Sequence, residues 1–103
     1  MRRPVARPPG FRYTTTVEIE YDPRKNDWNI CERALSFERV TEFDFTTAKI
    51  VRDTRKDYGE IRFQALGLVA GRVHVVVFTE TDSGIRVISF RKANPREVKE
   101  YAT

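Results

Sequence analysis

The stretch Glu60–Ala93, EIRFQALGLVAGRVHVVVFTETDSGIRVISFRKA, decides the fold. Over Glu60–Gly67, Ile61, Phe63 and Ala65 alternate with Glu60, Arg62 and Gln64, the period of a strand with one wet face. Ala70-Gly71 makes a turn. Arg72–Thr81 is apolar at both parities, Val73, Val75 and Val77 against Val76 and Phe78, which predicts a central strand covered on both sides. Thr81-Asp82-Ser83-Gly84 reads as a hairpin loop and Ile85–Ala93 as the last strand. Strands joined by such short turns form an antiparallel meander.

Toward the C-terminus, Asn94-Pro95-Arg96-Glu97 starts a helix. Asn94 caps it, Pro95 takes the first position where a missing N–H costs nothing, and Glu97 reaches back to complete a capping box. Val98 and Tyr101 are its expected packing face. Toward the N-terminus, Arg52–Gly59 is a polar loop and Lys49–Asp53 a weak strand signal. Ser36 is an N-cap candidate for a short helix that buries Phe37, Val40 and Phe43. Asp22-Pro23 opens a longer helix, on which Trp28, Cys31 and Leu35 at i, i+3 and i+7 form an apolar stripe. On that reading Trp28 is core and Cys31 a small buried residue. Val17, Ile19 and Tyr21 alternate with acids, a half-buried strand. The expected class is α+β: a curled antiparallel sheet, N-terminal helices packed on one side, and a short C-terminal helix.

The 103 residues suit one domain, and 40% apolar content, clustered in the strands, suffices for one small core. Residues 1–16 read as a basic, Pro-rich tail and residues 17–103 as the domain. No apolar run approaches the roughly 20 residues of a membrane span, and no secretory signal is visible. One cysteine and one histidine exclude a disulfide framework and multi-His or Cys-based metal sites. A cytoplasmic domain without metal or cofactor is the expectation.

The net charge of +4 is unevenly placed. The tail carries four arginines and no acid, residues 17–48 hold four basic and eight acidic groups, and residues 49–103 hold eleven basic and seven acidic groups. A basic C-terminal half is better evidence for a polyanionic partner than the overall pI. Within it, Glu60 and Arg62 lie two apart on one strand face, with Arg86, Arg91 and Lys92 on the last strand. If the strands are neighbours, guanidinium groups and one carboxylate converge on one surface. Guanidinium forks match phosphodiester oxygens and steady developing charge, and a carboxylate accepts a proton from a ribose 2′-hydroxyl. The plainer reading is a set of ordinary ion pairs on a wet face. His74, in the central strand beside Val76 and Phe78, reads as a satisfied core residue.

The order of these residues resembles the BrnT toxins. Tyr21-Asp22-Pro23-Arg24-Lys25-Asn26-Asp27-Trp28-Asn29 is similar to that family's opening motif, and Ala34-Leu35-Ser36-Phe37 to the next segment. Asp57-Tyr58-Gly59-Glu60-Ile61-Arg62-Phe63 resembles the middle motif, Val75–Glu80 the following strand, and Ile85–Ala93 the closing motif. The likeness spans about residues 17–102. It implies a RelE-like α+β fold and a ribonuclease toxin of a type II toxin–antitoxin pair. It further implies neutralisation by a DNA-binding BrnA-like antitoxin, with contact to DNA only through that oligomeric complex. The family's polar positions fall on Lys25, Glu60, Arg62, Arg86, Ser89, Arg91 and Lys92.

The combined expectation is metal-independent endoribonuclease activity without a cofactor. Glu60, Arg62, Arg86 and Arg91 are the expected catalytic residues, with Glu60 as base. Lys25, Ser89 and Lys92 are the expected RNA-binding residues. One departure stands out: Glu32, Arg33 and Ala34 replace the family's usual Lys-His-Gly. Arginine does not shuttle protons near neutral pH. Two alternatives therefore stand beside the nuclease: a catalytically impaired module that binds the antitoxin and helps repression, and a general RNA-binding domain.

Overall fold

The computed structural model describes residues 18–103. The expected tail, residues 1–16, and Val17 lie outside them. Five strands form one sheet: β1 (Glu18–Tyr21), β2 (Lys49–Arg52), β3 (Phe63–Val69), β4 (Arg72–Glu80) and β5 (Gly84–Lys92). Their spatial order is β1-β5-β4-β3-β2. β2 through β5 are the antiparallel meander read from the sequence. β1 departs from it, because it pairs parallel with β5, Glu18 opposite Gly84 through Tyr21 opposite Val87. The class is α+β as expected, but the sheet is mixed rather than wholly antiparallel.

Among the described residues two α-helices and a short 3-10 helix accompany the sheet: α1 (Pro23–Arg33), the 3-10 helix Phe37–Glu42, and α2 (Pro95–Ala102). β4 is central, and every residue from Val73 to Thr79 is buried. On one side of the sheet, Val76, Phe78, Ile85, Val87 and Phe90 pack with Leu35, Phe37, Val40 and Phe43. α2 lies on the opposite side, joined through Glu97 to Arg91 and through the Glu100 carbonyl, which accepts from Lys49 Nζ at 2.8 Å. The helices therefore flank the sheet rather than sharing one face. Gly84 is needed where β1 meets β5, since a Cβ there would strike the Glu18 backbone carbonyl.

Local signals place the helix starts well. The Asp22 carboxylate accepts from Arg24 N–H at 2.9 Å, and Ser36 Oγ from Glu38 N–H at 3.1 Å. Asn94 and Glu97 form the full capping box. The packing faces differ from expectation. Trp28 is 54% exposed, Cys31 is exposed, and Leu35, although buried, lies beyond the end of α1. The buried face of α1 is polar, made of Asn26 and Asn29. Asn26 Oδ1 accepts from Phe37 N–H at 2.7 Å. The Asn29 amide donates to the carbonyls of Leu35 and Phe90 at 2.9 and 2.8 Å. β1 ends opposite Val87, so among the described residues the edge of β5 away from β4 has no strand beside Phe90, and a side-chain amide takes that place. α2 differs likewise: Val98 is exposed, and Glu97 is the buried residue.

Two alanines adopt left-handed backbone, Ala34 (φ 54°) at the end of α1 and Ala70 (φ 51°) in the β3–β4 turn. A Cβ costs about 1–2 kcal/mol in that conformation, whereas glycine adopts it freely. Part of this is returned by glycine's greater freedom in the unfolded chain. Ala34→Gly is therefore expected to stabilise the domain by about 0.5–1 kcal/mol, read as a higher urea midpoint at unchanged slope. A lower midpoint would show that the alanine methyl contributes packing that outweighs the strain.

Candidate active site

The loop between β2 and β3 builds the first wall of the site. Asp53, at the end of β2, accepts from Arg55 Nε and Nη2 at 2.8 and 2.7 Å and from the Tyr58 hydroxyl at 3.3 Å. The Arg55 guanidinium holds the Asp53 carboxyl down at about 2. Asp53 N–H also donates to the Arg62 carbonyl at 2.8 Å, which ties both ends of the loop together. Tyr58, so anchored, offers its ring to Arg62, whose guanidinium carbon lies 4.2 Å from the ring centroid. Glu60 and Arg62 precede β3 rather than lying inside it as the alternation predicted, and Ile61, expected on the apolar face, is exposed. The Ile61 carbonyl instead accepts from Thr79 Oγ1 at 2.7 Å, holding this approach segment against β4.

The second wall is β5. Arg86 Nη2 donates to Glu60 Oε1 at 2.7 Å, and Arg62 Nε donates to Glu60 Oε2 at 2.9 Å. One carboxylate thus joins two guanidinium groups from separate parts of the chain. All three side chains keep access to solvent, at 30% for Glu60, 23% for Arg62 and 41% for Arg86. The hydrogen bond from Arg62, then that from Arg86, holds the Glu60 carboxyl below its ordinary range. Glu60 is ionised at neutral pH, and both guanidinium groups are held at one spot, open to an anion.

A β-bulge sets which other residues share this face. Val77 pairs with Ser89 but Phe78 pairs with Val87, so Ile88 is an extra residue in β5. Arg86 and Arg91 are five apart, an odd separation that puts residues of an unbroken strand on opposite faces. The bulge reverses this. Thr79, Val77 and Val75 share a face of β4, and their partners Arg86, Ser89 and Arg91 share it with them. Lys92, opposite His74, falls on the other face.

The structure therefore brings together only part of the set drawn from the sequence. Glu60, Arg62 and Arg86 touch. Arg91 is on the same sheet face but is engaged by Glu97, which accepts from both terminal nitrogens at 2.8 Å. That pair holds the Glu97 carboxyl down and fixes α2 to the sheet. Lys92 is parted from the rest. Lys25 and Ser89 meet elsewhere, in a cleft of about 250 Å³ between α1 and β5.

That cleft also contains Trp28 and Arg33, neither of which the sequence reading chose. The Arg33 guanidinium carbon lies 4.9 Å from the Trp28 ring centroid, and Nη1 donates to Asn29 Oδ1 at 2.8 Å. The missed signal was polar: asparagines at 26 and 29 bury their side of α1 and leave Trp28 outside. His74 is the satisfied core residue expected. Its Nδ1 donates to the Arg72 carbonyl at 2.8 Å, its ring lies 5.5 Å from that of Phe90, and burial holds it below its ordinary value. Among the described residues no His, Cys, Asp or Glu side chains cluster as metal ligands, and no helix is long and apolar enough to cross a membrane.

Comparison with known proteins bears on what this arrangement serves. A family model described as the ribonuclease toxin, BrnT, of a type II toxin–antitoxin system matches residues 21–97. The chain belongs to the BrnT family. The match takes in Lys25, Trp28, Arg33, the paired Glu60, Arg62 and Arg86, and the β5 residues through Lys92. No curated protein matches the chain. BrnT proteins are ribonuclease toxins that act in type II pairs, so membership implies an RNA target and an antitoxin partner.

Proposed function

We propose that this chain is a metal-independent endoribonuclease toxin, neutralised by a BrnA-like antitoxin with which it forms an oligomer, and that it reaches DNA only through that complex. The observation that supports this reading is the single carboxylate shared by Arg62 and Arg86. In the proposed reaction, Glu60 accepts the proton of a ribose 2′-hydroxyl. The 2′-oxygen attacks the adjacent phosphorus, the P–O5′ bond breaks, and the leaving 5′-oxygen takes up a proton from water. Arg62 and Arg86 turn from Glu60 to the phosphate oxygens and stabilise the charge that builds there. Lys25 and Ser89 guide the backbone alongside. Arg91 holds α2 in place at the edge of the same face, and Lys92 takes no direct part.

The second reading, an impaired module that binds the antitoxin without cleaving RNA, is favoured by Arg33 standing where the family usually has histidine. Incubating the full chain with single-stranded RNA in EDTA separates the two. Fragments ending in 2′,3′-cyclic phosphate support the nuclease; intact RNA, with harmless expression in cells, supports the module. The pH profile adds a sign. A base whose carboxyl is held below the ordinary glutamate value of 4.5 stays ionised as pH falls through that value. Cleavage is therefore expected to persist at pH 4.5 and to fail only in stronger acid. An acid limb of kcat/KM, which reports the free protein with Arg62 and Arg86 still on Glu60, centred well above 4.5 would exclude Glu60 as the base.

A further inference from the structure

We propose that the cleft between α1 and β5 is a nucleotide subsite, in which the Trp28 indole stacks a base of the single-stranded RNA flanking the scissile bond. This rests on the nuclease reading above and extends it to residues outside the Glu60, Arg62 and Arg86 cluster. Trp28 is fixed but not buried. Its helix is pinned by Asn26 and Asn29, while 54% of its own surface meets solvent. A large aromatic ring in that position is available to a ligand, and its stacking does not require the helix to move.

The surroundings suit a nucleotide. Arg33 lies 4.9 Å over the indole and is oriented by the Asn29 amide oxygen, so its guanidinium backs one face of the ring and the base stacks on the other. Lys25 supplies a second positive charge one turn earlier on α1, and Ser89 a hydroxyl from β5. Among the described residues no carboxylate lines the cleft. An acidic peptide needs only the cations; a flat aromatic surface with cations at its rim is the pattern for a base joined to phosphate. Ser89 connects the cleft to the paired Glu60, Arg62 and Arg86. It follows Arg86 by three residues, roughly 10 Å of strand, and the bulge at Ile88 puts both on one sheet face. One RNA strand can therefore engage both places.

The chain has one tryptophan, so its fluorescence reports on this cleft alone. The full chain is titrated with a short 2′-O-methyl oligonucleotide, which binds without being cleaved, and with an abasic strand of equal length. Quenching by the first and not the second is expected. Trp28→Ala, followed by a labelled oligonucleotide, is expected to weaken binding by about 5- to 100-fold, with Trp28→Phe close to wild type. Arg62→Ala tests the underlying reading separately, because it weakens both strands alike. Binding by the wild type with no change in fluorescence, or unchanged affinity in Trp28→Ala, overturns the subsite and leaves the nuclease reading standing. Trp28→Ala that binds RNA normally but escapes neutralisation by the antitoxin overturns it in favour of a protein interface. Absence of any oligonucleotide binding overturns both.

Discussion

Arg86→Ala is expected to lower the rate of RNA cleavage by about 10²- to 10³-fold and to relieve growth arrest on expression. Arg86 reaches Glu60 from β5, opposite Arg62, so its removal leaves one guanidinium of the two that the proposed reaction directs to the phosphate. Losing one preorganised donor of this kind raises a barrier by about 2.7–4 kcal/mol. The same ion pair adds little to folding, because it is open to solvent and screened by salt. Rate and stability are therefore expected to separate: thermal unfolding within a few degrees of wild type, cleavage almost gone. Arg86→Lys is expected to recover only part of the rate, since an ammonium holds the charge but not the two-pronged geometry. Cleavage by Arg86→Ala within a few-fold of wild type would sink the assignment of the Glu60, Arg62 and Arg86 cluster as the reaction centre.

Asn29→Ala is expected to cost about 2–4 kcal/mol of stability. Asn29 is 1% exposed, and its amide group donates to two backbone carbonyls from distant parts of the chain, Leu35 and Phe90. Alanine removes that donor from both buried acceptors, leaving the Phe90 carbonyl only the longer 3.4 Å bond from Arg33 Nη1, and a buried group stripped of its partner costs about 1–3 kcal/mol. It also strips Arg33 of the oxygen that orients it. Trp28→Ala, on the exposed side of the same helix, is expected to be much milder despite the far larger volume removed. Urea unfolding of the two variants checks the ranking. If Trp28→Ala proves the more damaging, the apolar stripe read from the sequence is the true buried face of α1, and the asparagine face is not.

The geometry of the candidate site was half legible in the sequence. Glu60 and Arg62 were chosen by their spacing, and they do meet, although the chain has not yet entered β3. Arg86 was chosen as a charge on an otherwise apolar strand, and it joins them. Arg91 carried the same signal but serves α2 through Glu97, a pairing between strand and helix that no local pattern reveals. Trp28 and Arg33 were passed over because an i, i+3, i+7 apolar pattern ordinarily marks a buried stripe. Here the competing force is the hydrogen-bond demand of β5, whose free edge beside Phe90 draws an asparagine inward.

What the sequence determined by itself was everything carried by neighbours along the chain. Alternating side chains set the strands, an unbroken apolar run made β4 the covered centre, and Asp22, Ser36 and Asn94 started their helices by capping the nearest free amides. Tertiary structure decided the rest. It laid β1 parallel to β5, turned α1 with its asparagines inward, and inserted the bulge at Ile88 that returns Ser89 and Arg91 to the face of Arg86. The physical reason is that a strand's register belongs to its partner. One extra residue on one side of a ladder reverses every side chain beyond it, and the energy that fixes its place comes from contacts distant in the chain.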